Sequence, residues 1–331
     1  MVLEAAAPVE SRPLEPRDLP VPEPAPGEVL VKVRACGVCR TDLHVVEGEL
    51  PDPKLPLVPG HQVVGTVERL GEGVEDPAVG ERVGVPWLGG TDGTCLYCRS
   101  EDENLCEHPI FTGYLRDGGY AEYVTARADF VLPLPGDYPD LQAAPLLCAG
   151  VIGYRALRLT EIEELEGAPR LGLYGFGASA RIVAQVARHL GHDVFVCTRG
   201  ERAQQLAREL NARLVGGMDE PPPVELDAAI IFAPAGPIVP AALRAVRRGG
   251  TVVCAGIHMS PIPELPYELL WGERVLRSVA NMTRTDGHEF MKLAPRFGIK
   301  TKVQEFPLAE ANEALEQMKS GELQGTAVLV P

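Results

Sequence analysis

Several things are missing or scarce in this chain. It contains no uninterrupted apolar stretch long enough to span a bilayer, so no membrane span is expected. Its first residues, MVLEAAAPVESRPLEP, put Glu4 and repeated prolines where a secretory signal needs a basic start and an apolar run. The expected location is therefore the cytoplasm. Positive charge is also short: 31 Lys and Arg stand against 46 Asp and Glu, a formal net charge of -15. A uniformly acidic surface repels nucleic acid and anionic membrane, and neither is expected as a partner. Lysine is scarcest, six residues against 25 arginines, and with 31 prolines this is a composition that heat-adapted or GC-rich sources share. Eight cysteines in a chain of this length do not make a disulfide scaffold; where they cluster in a reducing compartment, metal ligands are expected.

What remains is an ordinary globular composition, 45% hydrophobic and 23% charged, in 331 residues, more than one average core accommodates. From Pro20 to about Phe130 short valine-rich runs such as Glu28 to Val33 and Gly65 to Glu68 alternate with Gly and Pro, the pattern of short strands and turns. Between about Gly150 and Asn281 apolar runs at Leu171 to Tyr174, Val194 to Cys197, Ala228 to Phe232 and Thr251 to Ala255 alternate with helical stretches, which implies parallel βαβ units. The tail predicts a helix over Leu308 to Lys319 and a strand, Ala327 to Val330, with no partner in the βαβ pattern. That strand is expected to return to the first domain. The fold class is thus α/β, with a β-rich domain over 1–149 and 286–331 and a doubly wound parallel-sheet domain over 150–285.

The second domain opens with a dinucleotide signature. After the run Leu171 to Tyr174 come Gly175, Phe176, Gly177, Ala178, Ser179 and Ala180, a G-x-G-x-x-A turn, and then Ile182, Val183, Val186, Ala187 and Leu190 at helical spacing. Gly175 permits the tight turn, Gly177 lets a pyrophosphate approach the backbone, and the helix N-terminus offers unpaired N–H groups to it. Ala180 takes the place of the third glycine, where a small residue suffices for helix packing. About 20 residues further on, a carboxylate commonly binds the adenosine ribose. Here the strand ends in Thr198 and Arg199, a hydroxyl and a guanidinium suited to a 2'-phosphate, so NADP(H) is favoured over NAD(H). Glu201 is the alternative ribose ligand.

Three further segments, Cys39 to His44, Gly60 to Gly65 and Leu147 to Gly150, carry Cys39, His61 and Cys148. Together with the glycine turn and Asp117 to Tyr123 they resemble the zinc-dependent medium-chain alcohol dehydrogenases over essentially the whole chain. The resemblance implies a GroES-like catalytic domain beside a Rossmann domain. It implies a catalytic zinc on Cys39, His61 and Cys148, with a fourth position open to water or substrate; alcohol dehydrogenase is itself the standard instance of this Cys2His ligand set. Such a zinc acts as a Lewis acid on a small alcohol or carbonyl compound while the nicotinamide carries hydride. By the same resemblance Thr41 touches substrate and, with His44 further out, relays the proton, while Arg40 contacts the cofactor pyrophosphate. A structural zinc is implied on Asp92, Cys95, Cys98 and Cys106. Asp92 stands where the family has cysteine, a carboxylate being an acceptable ligand, and His108 is the substitute. Homodimers and homotetramers are usual in the family.

Two positions depart from the pattern. Gln62 follows the histidine ligand where the family has Glu, and Thr326 stands in the closing strand where it has Arg. Losing both charges of an ion pair costs less than losing one, so this reads as a compensated change. Substrate contacts are expected from residues such as Trp87, Ile110 and Asn281. A zinc-free quinone or enal reductase of the same fold, and a non-catalytic protein that binds zinc and nucleotide, are the competing functions; the ligand triad argues against the first and the relay residues against the second.

Overall fold

Lys32 and Arg34 are exposed between buried Val31, Val33 and Ala35, the alternation that makes Glu28–Gly37 a strand, β1. The computed structural model describes residues 1–136 and 138–331. The chain divides into two units: Met1–Cys148 with Met282–Pro295 and Lys300–Pro331, and Ala149–Asn281 with Arg296–Ile299.

In the first unit β1 is followed by helix α1 (Arg40–Val46) and strands β2 (Gln62–Leu70), β3 (Arg82–Val85), β4 (Tyr123–Arg127) and β5 (Leu132–Pro133). β1 pairs antiparallel with both β2 and β4, β2 with β3, and β3 with β5. Val31, Val63, Leu57, Val83 and Tyr120 fill the core that these strands enclose. Each such side chain contributes roughly 1.5–3 kcal/mol by leaving water.

The second unit begins with α2 (Ala149–Arg158) and continues β6 (Arg170–Tyr174), α3 (Ala178–His189), β7 (Asp193–Cys197), α4 (Glu201–Glu209), β8 (Arg213–Gly216), β9 (Leu226–Ile231), α5 (Ile238–Ala245), β10 (Val246–Cys254) and β11 (Val275–Ser278). All six strands are parallel, in the order β8-β7-β6-β9-β10-β11, the doubly wound arrangement of a Rossmann sheet. Its core joins Tyr174, Phe195, Ile231, Leu243 and Val252. The strands β8 and β11 have no counterpart among the apolar runs of the sequence.

The chain then returns to the first unit through α6 (Arg284–Arg296), β12 (Val303–Pro307), α7 (Ala311–Ser320) and β13 (Thr326–Val330). The expected helix from Leu308 is a short 3-10 turn, Leu308–Glu310, leading into α7. β13 lies parallel to β12 and antiparallel to β1, with Val328 opposite Gly37 and Leu329 opposite Cys36. The strand that lacked a βαβ partner thus joins β1 in the main sheet of the first unit. Among the described residues no helix is long and apolar enough to cross a membrane.

Candidate metal centre and dinucleotide turn

Cys39 occupies the N-cap of α1 in an extended conformation, and its Sγ accepts the Thr41 N–H at 3.3 Å. Its own N–H donates to Asp42 Oδ2 at 2.8 Å, the reciprocal bond expected of an acid at the third helical position. The other oxygen of Asp42 lies 2.9 Å from His61 Nδ1. That leaves Nε2 of His61 turned to Cys39 Sγ, 3.3 Å away, and Cys39 Sγ is 4.0 Å from Cys148 Sγ. Cys148 arrives from the 3-10 turn Ala144–Leu147. All three ligand atoms lie within 4.8 Å of one another. Tetrahedral zinc at its usual bond lengths separates sulfur and nitrogen ligands by about 3.5–3.8 Å, so the donor set fits that ion in spacing as well as in type.

Electrostatics inside the cluster favour a cation. His61 and Asp42 are buried. Burial alone would lower the ionisation of His61, but the charges and hydrogen bonds of Asp42 and Cys39 overcome it and hold the imidazole well above its ordinary value. The Cys39 thiol is drawn well below its ordinary value, first by the hydrogen bond with Cys148 and then, against burial, by His61 and the Thr41 N–H. Cys148 moves the opposite way, raised by its bond to Cys39 and by burial. The pulls on Cys39 and His61 are those of opposite partial charges facing one another across the cluster, a role a divalent ion at the centre would take over. Asp42 was not foreseen from the sequence as part of this site. The available signal was an acid three positions after a capping residue, which reads equally well as helix capping alone.

Around the cluster, Thr41 is half-buried in the first turn of α1 and His44 lies one turn further on, so the two share a face. A ring nitrogen of His44 pairs with the Glu49 carboxylate, a partner the sequence did not suggest. Arg40 is exposed at the first helical position. Trp87 stands edge-on to the His61 ring, centroids 4.9 Å apart, and stacks on Phe111 and Tyr114. Ile110 is exposed in the first unit, whereas Asn281 is the last residue of the second unit's main segment and has a positive φ of 57°.

The structure also brings together Asp92, Cys95, Cys98 and Cys106, with all ligand atoms within 4.8 Å and Cys95 Sγ 3.5 Å from Cys98 Sγ. Asp92 Oδ1 accepts the N–H groups of Thr94 at 2.7 Å and Cys95 at 2.9 Å. These N–H bonds, that of Cys95 foremost, hold the carboxyl well below the usual range, so it is ionised. Burial pushes the Cys106 thiol up to about 11, a cost that coordination would reverse. His108 is not one of the four; its backbone N–H donates to Cys106 Sγ at 3.4 Å. Asp92, not His108, is the fourth residue of the group that the structure brings together.

In the second unit β6 runs into Gly175, whose φ of +88° and close approach to Ala233 both exclude a side chain. Gly177 is the N-cap of α3 and makes no side-chain cap bond, and a Cβ built on it would meet nothing within 4 Å. Ala178 and Ser179 form the first turn of α3, and Ala180 is buried. The result is an uncapped helix N-terminus at the carboxyl end of a parallel strand, an arrangement that fits a pyrophosphate. At the end of β7 Thr198 is buried, with its N–H bonded to Gly216 O at 2.9 Å. Arg199 is exposed and paired with Asp219 at 3.7 Å. That carboxylate, from the loop after β8, was not anticipated.

Residues 25–136 match the GroES-like domain of alcohol dehydrogenases. A Mycobacterium tuberculosis protein named "Probable alcohol dehydrogenase AdhA" is 49% identical over 329 residues, covering 98% of this chain and 94% of its own. Among solved structures, a cinnamyl alcohol dehydrogenase from Sorghum bicolor aligns with a TM-score of 0.86 at 28% identity, covering 98% of this chain and 96% of that one. Acetophenone reductase from Geotrichum candidum, solved in complex with NAD, aligns at 0.83 and 27% identity, covering 95% and 93%. With a relative this similar along nearly its whole length and the same two-unit architecture, the chain belongs to the medium-chain zinc alcohol dehydrogenase family.

Proposed function

We propose that this protein is a zinc-dependent alcohol dehydrogenase, working also as an aldehyde or ketone reductase, that prefers NADP(H) to NAD(H) and acts on small alcohols and carbonyl compounds. The observation that carries the reading is the convergence of Cys39 Sγ, His61 Nε2 and Cys148 Sγ within 4.8 Å. Zinc held there would supply Lewis-acid polarisation of the substrate oxygen, and a nicotinamide held at Gly175 to Ala180 would supply hydride chemistry.

The chain's own residues do the rest. Asp42 fixes the His61 tautomer by accepting a hydrogen bond from Nδ1–H, so that the Nε2 lone pair faces the centre. The hydroxyl of Thr41 takes the proton of an alcohol as it gives its own onward towards His44. His44, steadied by Glu49, passes it to water. Thr198 and Arg199 would hold a 2'-phosphate, and Arg40 the pyrophosphate. Asp92, Cys95, Cys98 and Cys106 would close around a second, structural zinc. All eight cysteines are free thiols, which suits a reducing cytoplasm. The assembly proposed is a homodimer or homotetramer.

Metal analysis combined with NADPH and NADH oxidation over a panel of small aldehydes, ketones and quinones tests the reading. Two zinc ions per chain are expected, one per ligand group, with aldehyde reduction lost in Cys39→Ala. Full activity without metal would mean a zinc-free reductase of the same fold. Metal and nucleotide binding without turnover on any substrate would mean a non-catalytic protein.

A further inference from the structure

The lobe that carries the second ligand group has almost no core of its own. From Asp92 to His108 the buried residues are Glu103, Asn104 and Cys106, while Leu96, Tyr97 and Leu105 are exposed. Little apolar surface leaves water here, so the lobe takes its shape from metal ligands and polar anchors. A carboxylate stands out in the buried set, because burying one is costly unless it is paired and hydrogen-bonded. Glu103 is both. Its Oε1 accepts the backbone N–H of Arg284 at 2.8 Å and the Nε–H of the same residue at 3.2 Å. Arg284 is the first residue of α6, so a side chain from the lobe satisfies one of the N–H groups that a helix start leaves open. On the lobe side, Glu103 opens the 3-10 turn Glu103–Leu105, and its carbonyl accepts the N–H of Cys106 at 3.1 Å. The anchoring carboxylate is thus one turn away from a ligand.

The other end of the lobe is held in a matching way. Arg127, the last residue of β4, donates at 3.0 Å to the carbonyl of Thr91, the residue before Asp92. Asp129 joins the two arginines: it accepts two bonds from Arg127, at 3.0 and 2.8 Å, and lies 3.6 Å from Arg284. Both guanidinium groups stand over the buried Phe130 ring, each 5.0 Å from its centre, and a cation so placed is attracted to the ring. The entry and the exit of the ligand loop are therefore fixed from outside it. We infer that Glu103 is a positioning residue of the second metal site: through Arg284 it holds the turn that presents Cys106, and an ion bound in the lobe in return secures the first turn of α6. The inference rests on reading Asp92, Cys95, Cys98 and Cys106 as zinc ligands. It explains why a buried carboxylate sits in a lobe without a core, and why its partner comes from the far end of the chain.

Glu103→Ala removes both bonds, and Glu103→Gln keeps an acceptor oxygen without the charge. Zinc is titrated away from the full chain with a chromophoric chelator, the ion of the second site being the one that Cys95→Ser lacks. Hydrogen exchange of the peptide from Met282 to Phe290 reports the start of α6. Glu103→Ala is expected to hold the second zinc about tenfold more weakly, Glu103→Gln to fall between it and the parent, and the zinc on Cys39, His61 and Cys148 to be held as before. Exchange at the start of α6 is expected to rise in Cys95→Ser, although the substitution is far from it in sequence. Unchanged affinity in Glu103→Ala, or in Glu103→Gln should the alanine variant not fold, would overturn the inference. So would exchange in α6 that is indifferent to Cys95→Ser, or an equal fall in melting temperature with and without zinc, since that marks a packing role. If Cys95→Ser binds as much zinc as the parent, the reading of the second metal site has failed, and the role of Glu103 falls with it.

Discussion

Gln62 is 1% exposed, and its Oε1 has no hydrogen-bond partner among the described residues. It sits opposite Gly37 on one side of β1, while Val328 of β13 sits opposite Gly37 on the other. Two strand spacings separate β2 from β13, about 10 Å. Thr326 lies two residues before Val328 on the same face of β13, so its separation from Gln62 is longer still. The register thus puts Gln62 and Thr326 on one face of the sheet, and a single charge at either place would be left without its partner. Gln62→Glu alone should cost about 3 kcal/mol, because it buries a carboxylate without a partner, whereas Gln62→Glu with Thr326→Arg should recover most of that. Denaturant unfolding of the two single variants and the double measures the coupling, and strictly additive effects would count against the pairing. The two departures were visible in the sequence, but their geometry required the strand register. Asp42 was hidden for a different reason. Cysteine and histidine advertise metal chemistry by type, while an aspartate early in a helix already has a sufficient local explanation.

Among elements, legibility followed burial. β6, β7, β9 and β10 lie inside the Rossmann sheet and read as apolar runs, whereas β8 and β11 are its edges, partly exposed, with too little apolar sequence to announce a strand. The glycine turn was legible because strand, turn and helix each leave a mark. The counter-charge on Arg199 was not, since Asp219 comes from a loop 20 residues away in the sequence. An exposed pair of this kind is worth about 0–1 kcal/mol, so Asp219 competes with a 2'-phosphate only mildly. Asp219→Asn should tighten NADPH up to about fivefold and leave NADH unchanged, as read by fluorescence titration of the zinc-free protein. Equal tightening of both nucleotides, or of neither, would remove Arg199 from the phosphate site. The joint between α3 and β7 carries a pH dependence. His192 there is buried, neither ring nitrogen has a hydrogen-bond partner among the described residues, and burial lowers its ionisation below that of a free imidazole. The fold therefore prefers the neutral ring, and the unfolded chain takes up the proton first. Stability from this position is present above about pH 6.5 and lost as pH falls towards the lowered value. His192→Leu should flatten that part of the melting-temperature profile; an unchanged acid slope would assign the loss to other groups.

On the scale of the whole molecule, the interrupted first domain was foreseeable because Ala327 to Val330 had no partner in the alternating region. Which strand edge stays open was not foreseeable, because an edge is recognised only once the sheet order is known. β11 ends the Rossmann sheet with one side unpaired by any described strand. Just before and within it, Tyr267 is 68% exposed, Trp271 63% and Val275 44%, large apolar side chains that a monomer rarely leaves together in water. The charge of this region also differs from the rest. From Val246 to Ser278 there are four arginines and three glutamates, in a chain whose net charge is -15, so two copies meeting here avoid the repulsion that opposes contact elsewhere. A second copy related by a two-fold axis could pair its own β11 against this edge and cover the aromatic residues of both. Trp271→Glu places a charge where that face would close. Light scattering at micromolar concentration should find the parent protein as a dimer or tetramer and the variant at half that mass or less, with its zinc content unchanged. A monomeric parent, or an oligomer indifferent to the substitution, would move the interface away from this edge.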